Sequence, residues 1–82
     1  MFYVYVIRST KKKYHYIGYT SNLRKRLQEH NSGKTKSIKH LIPFELIYYE
    51  AYNTDNLARK REINLKKNAA AKEDLFKRLE IS

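Results

Sequence analysis

Eighty-two residues, with 18 Lys and Arg against 8 Asp and Glu for a formal charge of +10, leave room for one domain (1–82) with one small core. There is no cysteine, which excludes disulfides, thiolate zinc sites and a cysteine nucleophile, so stability has to come from packing. No apolar run reaches the length of a membrane span, and Met1 to Ile7 lacks the basic lead and cleavage site of a signal peptide, so a cytoplasmic protein with no membrane partner is expected.

Phe2 to Ile7 is a run of aromatic and β-branched residues, apolar on both faces, which predicts a central strand. Arg8 to Lys13 is short and polar, so Tyr14 to Tyr19 follows as the second strand of a hairpin. Thr20 or Ser21 is the expected cap of a helix from about Asn22 to His30, which Asn31-Ser32-Gly33 stops. Leu23 and Leu27 form its apolar stripe; Arg26 and His30 lie beside that stripe, while Arg24, Lys25, Gln28 and Glu29 turn outward. Two inward polar groups one turn apart, next to a tyrosine strand, read either as a clamp for phosphate or as a snorkelling arginine and a satisfied core histidine.

Lys34 to Ile42 has no clean period and ends at Pro43, which predicts a surface loop. Phe44 to Tyr52 alternates as a third strand, with Phe44, Leu46 and Tyr48 on one face and Ile47 and Tyr49 on the other. Asn53-Thr54-Asp55 offers caps for a helix over about Asn56 to Asn68, where Ala58 and Leu65 share a side with Glu62 in their midst. Glu62 is thus expected to be the one inward carboxylate, as the partner of Arg26 or another arginine, or as a ligand for a hard cation. Ala71 to Leu79 predicts a packing helix on Leu75, Phe76 and Leu79. The class is α+β, a three-stranded antiparallel sheet flanked by about three helices.

The positive charge is clustered at Lys11 to Lys13, at Lys34, Lys36, Lys39 and His40, and at Arg59 to Arg61 with Lys66 and Lys67. Such clustering points to a polyanion, with nucleic acid first; Lys34, Lys36, Lys39, His40, Arg59 and Lys66 are the expected contacts. An anionic membrane surface competes, but neither helix has the broad Trp- or Phe-bearing apolar face that interfacial anchoring uses. A charge that serves only solubility is the remaining alternative.

Tyr3-Val4-Tyr5, Tyr16-Ile17-Gly18, Arg26, His30-Asn31-Ser32-Gly33 and the Ala58 to Lys67 stretch with Glu62 together resemble a GIY-YIG domain over nearly the whole chain. The likeness is to small stand-alone bacterial members, close to the structure-specific nucleases of branched DNA. It implies metal-dependent phosphodiester hydrolysis of DNA, by an endonuclease or exonuclease of repair or recombination, with Mg²⁺ (or Mn²⁺) as cofactor. Carried over residue by residue, it implies that Glu62 holds the metal and Arg26 neutralises developing charge. Tyr16 or His30 takes the proton from water, Tyr5 orients that water, and Gly18 is structural. The first motif here lacks its glycine and isoleucine but keeps the tyrosine, and Asn68 stands where a late asparagine of the family would have to be sought. Stand-alone members have no added DNA-binding domain, so the basic Lys34 to His40 segment and the second helix would supply that contact, with a protein partner for any further targeting. The alternative is a basic nucleic-acid-binding module of the same fold that does no chemistry. A module of that kind has no need of an inward glutamate that repels phosphate. A protein-interaction domain with incidental charge is a third reading.

Overall fold

The middle strand of the sheet is β1 (Phe2–Ser9), because it alone is apolar on both faces: Val4 and Val6 are buried on one side, Tyr5 and Ile7 on the other. This computed structural model describes residues 1–81. β2 (His15–Thr20) and β3 (Phe44–Tyr52) pair antiparallel on either side of β1, in the order β2-β1-β3. Three α-helices, α1 (Leu23–Asn31), α2 (Asp55–Lys67) and α3 (Ala69–Arg78), and one 3-10 helix (Lys36–Leu41) complete the α+β fold among the described residues. No helix is long and apolar enough to cross a membrane among those residues.

The sheet divides the core in two. On one face Val4, Val6 and Ile17 pack against Ala58 and Leu65 of α2 and Leu75 of α3. On the other, Tyr5, Ile7 and Phe44 pack with Ile38 and Leu41 of the 3-10 helix, and Leu23 and Leu27 of α1 lie against them. The segment expected to be a surface loop is therefore part of the core. Ile38 and Leu41 are three residues apart, one turn of a 3-10 helix, so both point inward although neither an α nor a β period is present.

Strand β3 does not alternate evenly. Val6 pairs with Tyr48 and Ile7 with Leu46, which leaves Ile47 as an extra residue in a bulge. Phe44 and Leu46 face α1 as expected, but the bulge moves Tyr48 to the opposite face with Ile47, and returns Tyr49 to the side of Tyr5 and Tyr3. Both expected face groupings are corrected by this one insertion.

Helix ends also differ from expectation. Asn22, not Thr20 or Ser21, caps α1: its Oδ1 accepts from the Lys25 N–H at 3.0 Å. Thr20 belongs to β2 and instead accepts from the Asn22 N–H at 3.1 Å, which braces the cap. Gly33 closes the helix end with φ +84, a conformation that disfavours side chains with a Cβ. Thr54 caps α2, and Asn68 ends it while capping α3, which therefore starts at Ala69 rather than Ala71.

One close approach ties the fold to the site. Tyr5 stands directly opposite Gly18 in the β1–β2 register, and its ring lies across the β2 backbone there. A Cβ on Gly18 would fall 2.3 Å from both Cζ and Oη of Tyr5, far inside van der Waals contact. Gly18→Ala is expected to destabilise the protein by about 2 kcal/mol, lowering Tm by roughly 10 °C. In a Tyr5→Ala background the same change should cost almost nothing. Equal costs in both backgrounds, measured by thermal unfolding, would show that the Tyr5 ring does not occupy this space.

Candidate active site

Helix α1 lies over the Tyr5 face of the sheet and presents Arg26 and His30 to it from successive turns. Asn31 fixes the end of this helix to the start of β3: its Nδ2 donates to the Phe44 carbonyl at 3.0 Å and its Oδ1 accepts from the Phe44 N–H at 2.6 Å. His30 is consequently fully buried. Its ring meets Tyr5, Tyr16 and Phe44 edge-on at centroid distances of 5.9, 5.1 and 6.1 Å.

Both ring nitrogens of His30 are engaged. Nε2 lies 2.8 Å from the Tyr5 hydroxyl and Nδ1 lies 3.0 Å from Thr35 Oγ1. Burial, reinforced by the Arg26 guanidinium, holds the pKa of His30 below the ordinary imidazole value. The ring is therefore neutral at pH 7, with one nitrogen as donor and the other as acceptor.

The Tyr5 hydroxyl is the point at which the other groups meet. Tyr5 as a residue is only 2% exposed, and burial pushes its pKa up to about 12, against the downward pull of the adjacent Arg26; Tyr16 and Glu62 push the same way as burial. Arg26 is half-buried, and its Nη1 donates to Glu29 Oε1 at 3.1 Å. Although burial works against its charge, Tyr5 and Glu29 beside it raise its pKa further, so it stays cationic. The expected alternative of an Arg26–Glu62 ion pair is not formed. Glu62 instead accepts from Lys66 Nζ at 3.1 Å, one turn along α2, and that ammonium also lies 5.7 Å from the centre of the Tyr16 ring.

The structure thus brings together Tyr5 from β1, Tyr16 from β2, and Arg26 and His30 from α1, with Gly18 beneath the Tyr5 ring, and Glu62 of α2 reaches this group through Lys66, whose ammonium lies over Tyr16. The model of the GIY-YIG catalytic domain family matches residues 1–74. The chain belongs to the GIY-YIG family. The UPF0213 proteins of Streptococcus pyogenes strains Manfredo and MGAS10750 are each 36% identical to it over 74 residues, covering 89% of this chain and 79% of theirs. No solved structure gives a significant match. Membership of this family implies nuclease-type hydrolysis of DNA.

The GIY-YIG site can be tested for its fit to a divalent ion. No group of three or more His, Cys, Asp or Glu converges among the described residues, so no closed protein cage is present. A hard cation such as Mg²⁺ needs less, since one or two carboxylates suffice when water and substrate phosphate complete the shell. Glu62 meets that description: its side chain is 21% exposed and has one protein partner, the lysine. A half-exposed pair of this kind contributes at most about 1 kcal/mol, so the lysine does not bar a dication.

Glu62 is not the one inward carboxylate. Glu50 on β3 is more buried, at 15%, and accepts from Arg61 Nε at 3.0 Å, from the Tyr48 hydroxyl at 2.6 Å and from the Tyr52 hydroxyl. Burial raises its pKa, but the three donors outweigh it and the net shift is downward. This network lies on the sheet face away from Tyr5 and fastens α2 to β3. Its signal in the sequence was the i, i+2, i+4 spacing of Tyr48, Glu50 and Tyr52 on a strand.

The basic residues divide into two groups. Lys34, Lys36, Lys39 and His40 are exposed along and just before the 3-10 helix. Arg59 and Lys66 are exposed on α2 but already engaged. Arg59 reaches Asp55 at 3.2 Å and stands 5.1 Å over the Tyr19 ring, while Lys66 holds Glu62. Thr35 and Asn31 are the site residues that pattern reading passed over, the first because its stretch had no period and the second because it was read only as a helix stop.

The depressed pKa of His30 makes stability pH-dependent. Acid favours the unfolded chain, which takes up a proton that the native ring refuses, so stability is full above the unfolded value of about 6.5 and falls as pH drops through it. Denaturant unfolding from pH 7.5 to 5 should show this loss, with a contribution from His30 of no more than about 1.4 kcal/mol per pH unit. His30→Gln should flatten the profile, and His15→Gln should flatten it less, since the half-buried His15 is shifted down by burial and by Arg8, Lys13 and Lys72. Identical slopes for wild type and His30→Gln would mean that the ring is not held neutral.

Proposed function

We propose that this chain is a divalent-metal-dependent nuclease that hydrolyses phosphodiester bonds in DNA, with branched or duplex DNA of the kind met in repair and recombination as its substrate class. The observation that carries this reading is the gathering of Tyr16 from β2 and Arg26 and His30 from α1 around Tyr5 of β1, with the charge of Glu62 on α2 near enough to be felt by the phenol. Glu62 would hold Mg²⁺ or Mn²⁺, and when bound the ion supplies charge neutralisation at the scissile phosphate.

The remaining roles follow from the side chains themselves. Arg26, kept cationic and partly exposed, offsets the negative charge that builds on the phosphate oxygens as water attacks. Tyr5 orients that water. With a pKa near 12 it is a phenol and not a phenolate at neutral pH, so it can accept the water's proton only as it releases its own. Its neighbour His30 is neutral and bonded to that hydroxyl, which gives the released proton a destination. His30 has no exposed surface and both nitrogens are occupied, so it acts on water only through Tyr5. Tyr16 is half-buried, and its hydroxyl has no protein partner among the described residues, which leaves it free to hold the water or phosphate from the open side.

Lys34, Lys36, Lys39 and His40 would grip the phosphate backbone beside this centre, with Arg59 and Lys66 on the α2 side. Such contacts position the duplex without reading its bases.

The test is cleavage of labelled single-stranded, duplex, flapped and four-way DNAs with Mg²⁺, Mn²⁺ or EDTA, with gel-shift binding on the same substrates at two salt concentrations. Wild type should cut in either metal and not in EDTA. Glu62→Ala, Arg26→Ala and Tyr5→Phe should each lower kcat by about 10²-fold or more, with binding retained. Salt-sensitive binding by all proteins without cleavage of any substrate would replace the enzyme with a non-catalytic binding module.

A further inference from the structure

Thr35 occupies the N-cap of the 3-10 helix, where a threonine hydroxyl usually accepts from a backbone N–H of the first turn. Here it makes no such bond. The hydroxyl is turned back toward α1, and Oγ1 lies 3.0 Å from His30 Nδ1, on the far side of the ring from Tyr5. A group diverted from its local role toward a fully buried imidazole calls for an account.

We propose that Thr35 is a positioning residue: it holds His30 in the tautomer with the proton on Nδ1, so that Nε2 is left as the acceptor for the Tyr5 hydroxyl. Its role in hydrolysis rests on the nuclease reading above, whereas the tautomer can be measured without it. In a neutral imidazole, the hydrogen bond made by one nitrogen sets what the other can do. Tyrosine and threonine hydroxyls can each donate or accept, so their relative strengths decide. The phenol is the stronger acid and the better donor, and the aliphatic alcohol is the better acceptor. Arg26 adds to this, because the positive charge near Tyr5 favours release of the phenol's proton and so makes it the stronger donor. The Tyr5 proton is thereby directed to Nε2, and the proton of the ring belongs on Nδ1, facing Thr35. His30 is fully buried, so in the native protein its Nδ1 has Thr35 as partner rather than bulk water.

The placement also links binding to chemistry. Thr35 lies between Lys34 and Lys36, both exposed, on the segment assigned to the phosphate backbone. Whatever steadies that segment steadies the acceptor on which Tyr5 depends.

The experiment is long-range ¹H–¹⁵N correlation on the full chain labelled with ¹⁵N-histidine, in the absence of DNA and metal, for wild type, Thr35→Val, Thr35→Ala and Thr35→Ser. Wild type and Thr35→Ser should show a protonated Nδ1 and an unprotonated Nε2 at His30. Thr35→Val and Thr35→Ala should lose that pattern while the signals of His15 and His40 stay in place, which reports an intact fold. A protonated Nε2 in the wild type, or a His30 pattern unchanged in both hydroxyl-free variants, overturns the proposal. On a DNA that the wild type cuts, Thr35→Val should lower kcat by about 10- to 100-fold with KM within about twofold, and Thr35→Ser should restore it. Full kcat in Thr35→Val overturns the positioning role. If wild type cuts nothing, the nuclease reading fails and the tautomer result alone decides the structural half of the proposal.

Discussion

The hydrogen bond between the Tyr5 hydroxyl and His30 Nε2 is the constraint around which the rest of this structure is arranged. It joins the middle strand of the sheet to the end of the helix that covers it, and it is buried, so losing one partner would leave the other unsatisfied at a cost of about 1 to 3 kcal/mol. To make it, Tyr5 must lie across the neighbouring strand, which only a glycine at position 18 allows. His30 must also arrive at a fixed depth, which Asn31 sets by its two bonds to Phe44. The depth of α1 and the identity of a single glycine thus both serve one contact.

Two acidic groups sit among cations along α2, but they are resolved differently. Glu50 is enclosed by Arg61, Tyr48 and Tyr52, with its donors fully matched, and its net work is to fasten α2 in place. Glu62, one residue after Arg61, is carried by the same helix but meets only a mobile type of partner, a half-exposed lysine. The more buried carboxylate is therefore the less reactive one. A carboxylate that is fully satisfied by protein has nothing left for a ligand, whereas one with a single weak partner can exchange it for a dication.

Much of this was legible in the chain itself. Three strands, the α1 helix and the inward turn of Arg26 and His30 follow from periodicity, because an i, i+4 pair on a helix and an apolar run on a middle strand are local facts. What escaped is non-local. The bulge at Ile47 exists only relative to the pairing of β1 with β3, so even alternation along β3 gave the wrong face for Tyr48. The 3-10 helix holds two core residues at a spacing that resembles noise in a basic stretch. Thr35 is an ordinary polar residue until α1 and that helix are seen side by side, and its cap position would have suggested a local bond that it does not make.

Tyrosine is an awkward base at neutral pH, and burial makes it more so by raising its pKa to about 12. The same burial acts on the neighbouring histidine in the other direction. It lowers the pKa of His30, so the histidine beside the phenol is neutral and able to accept, where an exposed and partly protonated imidazole would be a poorer acceptor. Arg26 acts in the same sense on both groups, drawing the phenol toward ionisation and keeping the imidazole free of a second proton. Burial moves the tyrosine up and the histidine down, so their 2.8 Å contact is a hydrogen bond between two neutral groups in which the phenol keeps its proton until negative charge is drawn from it. The centre thus consists of a phenol and an imidazole kept dry and in contact, next to an arginine.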